Sequence, residues 1–193
     1  KAKIMLGVVP AQYEAETDKI LKECAEYMGR GSNFHKVDVG IYFGKSGETV
    51  EDPYFDGRGP KRTGCTLCGG CMVGCRYNAK NTLDKNYLYL AEQLGVIIMP
   101  EQEVLDILPL ESGGYQLTIR KSTGLRRPVR KLQADKVILS GGVLGTVKLL
   151  LKCRNKGSLD KISSKLGDFV RTNSESIIGV KLKKTPSEDF SKG

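Results

Sequence analysis

Four of the six cysteines in this chain fall within eleven residues: Cys65, Cys68, Cys71 and Cys75, spaced C-x2-C-x2-C-x3-C. Thiolates at that spacing hold a four-iron cluster, and electron transfer would then be the chemistry of the stretch. Arg76 stands where proline usually follows the fourth cysteine, and there is no second cysteine set for a second cluster. Zinc held by thiolates and a Gly-rich loop of plain reduced thiols are the other readings of the same spacing. The other candidates for chemistry are few. His35, the single histidine, opens an alternating stretch and reads as structural despite its tunable charge. Cys24 falls on an apolar helical face and reads as a small buried hydrophobe, and Cys153 as a lone structural thiol.

The elements that must position these residues follow from periodicity. Ile20, Leu21, Cys24, Ala25 and Met28 recur at helical spacing, with Thr17 placed to cap the helix and Gly29 and Gly31 to stop it. Residues 34–43 alternate, with Val37, Val39, Ile41 and Phe43 on one face, which predicts a strand. Residues 44–64 are rich in Gly, Pro and Asp and predict an ordered loop leading into the cysteines. A helix is predicted over 86–95, then a buried strand in Val96-Ile97-Ile98-Met99 ending at Pro100. Three alternating segments, 103–110, 115–121 and 129–133, are separated by Ser112-Gly113-Gly114 and Ser122-Thr123-Gly124 and predict an antiparallel β-meander.

A second site candidate follows the meander. The apolar run 136–140 predicts a strand that enters Gly141-Gly142-Val143-Leu144-Gly145-Thr146, and a helix burying Leu144, Val147, Leu150 and Leu151 comes next. Strand, glycine turn and helix N-terminus together bring a ligand close to backbone amides, although glycine at such a turn also serves conformation alone. A further strand is predicted over 177–182.

Composition sets bounds. A chain of 193 residues can bury about 70% of its unfolded surface and needs no metal or disulfide to hold a core. No apolar run approaches the ~20 residues of a membrane span, and the opening KAKIMLGVVP is too short and too soon broken by Pro10 for a signal peptide. The net charge of +9 is scattered, so nucleic acid is not expected as a partner. Clustered cysteines fit a reducing, cytoplasmic setting better than a disulfide framework. The first residue is not Met and the last residues are polar, so the chain reads as a piece of something longer.

The ordered combination of AKNTLDKNYL, the run VIIMP, a meander opening with EQEV, and ADKVILSGGVLGTVKLLLKCRNKGSLDKISSKLGDFV resembles the glucose–methanol–choline (GMC) flavin oxidoreductases, and most of all their cholesterol-oxidase-like bacterial branch. The similarity covers nearly the whole chain and is most specific over residues 63–173. The resemblance implies an α/β fold with α+β character: part of an FAD-binding domain with parallel strands and a three-stranded antiparallel β-meander, plus pieces of a substrate domain. It assigns residues 1–60 to the substrate domain, 61–157 to the FAD-binding domain and 158–193 to a second substrate-domain segment. The implied reaction is hydride removal from an alcohol, sterol-like or otherwise bulky, to FAD. Val104 takes the position whose backbone pairs with the adenine, Gly141, Gly142, Leu144 and Gly145 match the glycine turn beside the flavin, and Asn78, Lys80 and Asn81 lie toward the flavin and substrate. The family's G-x-G-x-x-G loop and catalytic histidine match nothing in residues 1–193, and His35 does not take the catalytic place. On this resemblance the chain is a fragment whose partners are the rest of its parent chain and a small-molecule alcohol. By itself it is expected to be inactive. The rival reading is an iron–sulfur electron-transfer module built on Cys65, Cys68, Cys71 and Cys75.

Overall fold

In the computed structural model the described residues are 1–176 and 179, so the strand expected over 177–182 falls outside them apart from Gly179. Packing divides the chain into two compact units, Lys1–Ile98 and Met99–Gly179. Together they give a mixed helix-and-strand architecture of α/β type.

The first unit has little regular structure. Its elements are α1 (Ala2–Met5), β1 (Val9–Pro10), α2 (Glu16–Tyr27), β2 (Asp38–Val39), β3 (Thr49–Val50), β4 (Arg62–Thr63) and α3 (Tyr87–Gln93). Helix α2 is not capped by Thr17. Ala15 is its N-cap, and the Asp18 carboxylate reaches back to accept the Ala15 amide at 2.8 Å, placing negative charge at the positive end of the helix. The apolar face of α2 is open: Ile20, Leu21, Met28 and Cys24 are exposed, so Cys24 is not the buried hydrophobe its spacing suggests. Periodicity finds a helix but not what covers it. The strand expected over 34–43 shrinks to β2, antiparallel to β1. Its partner runs for only two residues and ends in a proline, which has no N–H with which to carry the ladder further. The loop 44–64 contains one short antiparallel pair, with Thr49 opposite Thr63 and Val50 opposite Arg62. Helix α3 begins where Asn86 Oδ1 accepts the Tyr87 amide at 2.6 Å.

The second unit is the expected meander with a helix on it. Strands β5 (Gln102–Pro109), β6 (Tyr115–Lys121) and β7 (Val129–Ala134) lie in that order, all antiparallel. Val104 faces Ile119 and Asp106 faces Thr118, so Leu105 is an extra residue that bulges β5. Helix α4 (Gly142–Lys156) packs against β5, and Ile107, Ile119 and Cys153 are buried. Cys153, 0% exposed, is the structural thiol its sequence setting predicts. Asp106 ties sheet to helix by accepting from Lys156 Nζ and from the Ser158 hydroxyl.

Two expected strands are missing. Residues 96–99 and 136–140 form no ladder, and Ile97 (84% exposed) and Ile138 (90% exposed) face solvent. A strand buried on both faces in a parallel sheet requires neighbours on each side. Among the described residues no strand pairs with either run. Leu144, expected to be buried, is 80% exposed, while Val147, Leu150 and Leu151 are half-buried.

Candidate functional site

The cysteine-rich loop is held from below by a buried arginine. Arg62 is 1% exposed. Its Nε donates to the Asn78 carbonyl at 3.0 Å, one terminal nitrogen to the Lys80 carbonyl at 3.0 Å, and the other to Asn81 Oδ1. The guanidinium also lies 5.9 Å from the centre of the Tyr54 ring. Among the described residues no carboxylate pairs with it at ion-pair distance. Burial pushes its pKa down, against opposing effects of Tyr54, Cys75, Asp84 and Asp52. Arginine suits this place because its rigid fork serves several carbonyls at once and keeps its charge when buried.

Asn81 extends the network. Its amide nitrogen donates to the Leu6 and Gly7 carbonyls at 3.0 and 3.2 Å, and its backbone N–H to the Gly40 carbonyl at 2.7 Å. Asn86, 2% exposed, donates to the Thr82 carbonyl at 3.1 Å. Upstream, Asp52 gathers the loop 52–59 by accepting the amides of Tyr54, Phe55, Gly57 and Gly59 at 2.8–3.1 Å. Burial pushes the Asp52 carboxyl up, but those four amides outweigh it and hold the group below its ordinary value.

Above this framework lies an apolar cavity of about 380 Å³. Leu21, Phe34, Val37, Val39, Ile41 and Phe43 line it along with Asp18, Asn33, His35 and Lys36. The cysteine loop, Tyr77, Ala79 and Lys80 complete the wall. Thr66 also lines the cavity, while its Oγ1 is sealed from solvent and has no hydrogen-bond partner among the described residues. His35, exposed at the rim, lies with Nδ1 3.0 Å from the Asn33 carbonyl, which makes that nitrogen the donor.

Cys65, Cys68, Cys71 and Cys75 all reach this wall, but among the described residues no group of three or more His, Cys, Asp or Glu side chains converges as metal ligands. All four are free thiols. Their environments differ. Burial pushes the Cys71 thiol up, and the neighbouring Cys65 adds to that. Burial also pushes Cys75 up, but the backbone amides of Lys80, Ala79, Tyr77 and Asn78 overcome it and bring the thiol below its ordinary value. The Ala79 amide donates to Cys75 Sγ at 3.3 Å. Lys80 Nζ donates to the Cys71 carbonyl at 2.9 Å and so braces the loop.

The remaining sequence candidates lie in the second unit. Val104 is half-buried on β5, whose outer edge pairs with no strand among the described residues. Gly141 is the N-cap of α4 and Gly142 its first residue, as the glycine turn predicts, and no side chain caps the first turn. Gly142 has φ +69°, and a Cβ at Gly142 or Gly145 would meet no atom within 4 Å. The glycines and the uncapped first turn leave the start of α4 open, so a ligand could approach its backbone amides closely.

Sequence reasoning missed Arg62, Asp52 and Asn86. Arg62 is one basic residue among many in a polar loop, and its hydrogen bonds span 16 to 19 residues, which leaves no local pattern. The one available signal was Asp52 ahead of the glycines at 57 and 59, a spacing that suits a carboxylate gathering loop amides.

Comparison with known proteins points one way. Residues 60–166 match the family model described as GMC oxidoreductase. The whole chain is 44% identical over 200 residues to a cholesterol oxidase of Mycobacterium tuberculosis strain H37Rv, covering 35% of that protein. It is 43% identical over 192 residues to a cholesterol oxidase of Acinetobacter baumannii, with 94% of this chain and 34% of that protein covered. The chain thus spans about a third of the length of the curated relatives it matches.

Proposed function

This chain belongs to the GMC oxidoreductase family, and on that premise we propose that it serves an FAD-dependent oxidation of a bulky, apolar, sterol-like alcohol. FAD, when bound, supplies the acceptor for the hydride leaving the alcohol carbon. The chain's own residues divide the remaining work. The β5 edge at Val104 and the turn Gly141–Gly145 hold the cofactor through backbone groups, and the cavity wall of residues 34–43 takes the hydrocarbon body of the substrate. On this reading residues 61–157 serve the flavin side and residues 1–60 the substrate side.

The observation that carries the substrate class is the cavity. At about 380 Å³ it is of small-molecule size, within the range of ~300–1,000 Å³. Its lining is mostly apolar, with Asp18, Asn33, His35 and Lys36 as the polar side chains among residues 11–43, a distribution that suits a largely hydrocarbon ligand with few polar groups. The names of the two relatives point to the same class. A reducing, cytoplasmic setting is part of the proposal, motivated by four cysteines clustered within eleven residues. The cluster reading keeps its cysteine spacing but has no converging ligand set among the described residues to support it.

Val37 lines the cavity yet is solvent-exposed, so it can be changed without disturbing a core. In the protein at its relatives' length and loaded with flavin, Val37→Asp is expected to raise KM for a sterol about tenfold or more, the cost of a mismatched apolar pocket. Flavin content should stay unchanged. Equal KM values for sterol in the variant and the parent would remove the cavity from the substrate path.

A further inference from the structure

We propose that the apolar cavity takes a steroid-like body that carries a carboxylate, with the Lys80 ammonium as its counter-charge. The steroid-like body rests on the reading above, and the acidic group is what Lys80 adds to it.

Lys80 is set in the cavity wall by its own backbone. It bridges Ile41 in antiparallel pairing, and its carbonyl accepts from Arg62 at 3.0 Å. Its chain neighbours Ala79 and Asn81 are both buried. The residue is half-buried and lines the cavity. Its Nζ donates to the Cys71 carbonyl at 2.9 Å. An ammonium has three donors, so two are left for a ligand. Among the described residues no carboxylate pairs with it at ion-pair distance. A cation beside apolar surface is costly without an opposite charge, and a bound anion would supply one.

The other charged and titratable groups of the lining are already engaged. Lys36 Nζ lies 3.5 Å from the Glu14 carboxylate. The Asp18 carboxylate accepts the Ala15 amide, and its charge offsets the positive end of α2. His35 Nδ1 donates to the Asn33 carbonyl. Lys80 is therefore the cation of the lining with no anion beside it. Arg62, which donates to the Lys80 carbonyl, likewise has no carboxylate at ion-pair distance among the described residues and adds positive charge behind this part of the wall.

An apolar hollow with one uncompensated ammonium suits an amphipathic anion. The hydrocarbon meets Phe34, Val37, Val39, Ile41 and Phe43, and the carboxylate accepts a charge-assisted hydrogen bond from Lys80. A neutral ligand of the same shape leaves the ammonium without its counter-charge.

The test is ligand binding to the protein at its relatives' length with FAD bound. The probes are an oxosteroid with a side-chain carboxylate and its methyl ester, neither of which has a hydroxyl to oxidise, and titration calorimetry reads both. The acid should bind about tenfold or more tightly than the ester. Lys80→Gln should bring that ratio near one, Lys80→Arg should keep most of it, and Lys36→Gln should keep it whole. Equal Kd values for acid and ester in the wild-type protein would overturn the proposal, even if the Lys80 variants fail to fold. So would a ratio that survives Lys80→Gln, or a long-chain fatty acid that binds more tightly than the steroid acid. The oxidation reading fails separately: flavin that stays oxidised with every hydroxysteroid would remove it, and the acid-to-ester ratio would still decide the ligand.

Discussion

The two units are stabilised by different means. In Lys1–Ile98 the largest fully buried side chains are polar, Arg62 and Asn86, and the segments they join are short loops and two-residue strands. In Met99–Gly179 a three-stranded meander is sealed by one helix over Ile107, Ile119 and Cys153. A polar hub orders irregular backbone because it supplies the hydrogen bonds that a ladder would otherwise supply. The same dependence makes it brittle, since each lost donor strands several buried carbonyls. A sheet loses stability in smaller steps. The cavity and its cysteines are on the brittle unit, and the expected cofactor cradle is on the other.

The largest expected effect breaks the hub. Arg62→Ala should cost about 4 kcal/mol, since it strands three acceptor oxygens in the hub at about 1–3 kcal/mol each. Amide exchange should rise across residues 6–7, 40–42 and 78–86 while the meander stays protected. Loss of protection spread evenly over both units would mean that they do not differ in this way. The next effect probes the sheet. Ile119→Ala should cost about 3 kcal/mol through lost burial and a residual cavity, read by denaturant unfolding, with exchange rising in β5–β7 and not around Arg62. Increased exchange around Arg62 in that variant would couple the two cores.

A smaller effect sharpens the comparison by pH. Burial pushes the Asp106 carboxyl up, but hydrogen bonds from Lys156, Ser158 and Cys153 outweigh it and hold the pKa below its ordinary value. A carboxylate depressed in the folded state stabilises above its unfolded pKa of about 4, and that contribution is lost as pH falls below it. Asp106→Asn should therefore cost about 2 kcal/mol near neutrality and flatten the acid limb of the stability curve for the meander. An unchanged acid limb would show that Asp106 titrates alike in the folded and unfolded chain.

What the sequence revealed follows from range. The meander and the turn into α4 are written in local alternation and in glycines, and the structure has both. Helices α2 and α3 are likewise local, although the start of α2 turned on Asp18 rather than Thr17. The hub is non-local: Asn81 bonds to Leu6 and Gly7 across 75 and 74 residues, and no periodicity marks such a contact. The runs 96–99 and 136–140 read as strands because their composition is apolar, yet a ladder depends on neighbours that composition does not supply. The cysteine spacing was the loudest signal and the least specific, because it fixes how near the thiols lie along the chain and not where their sulfurs point.

The most direct test of the central claim is the visible absorption of the protein at its relatives' length, loaded with FAD and mixed without oxygen with a sterol or a short-chain alcohol. The account predicts loss of the two-banded flavin absorption with the sterol and little change with the short alcohol. An undiminished flavin spectrum with every alcohol, or a broad brown absorption without flavin bands, would contradict it.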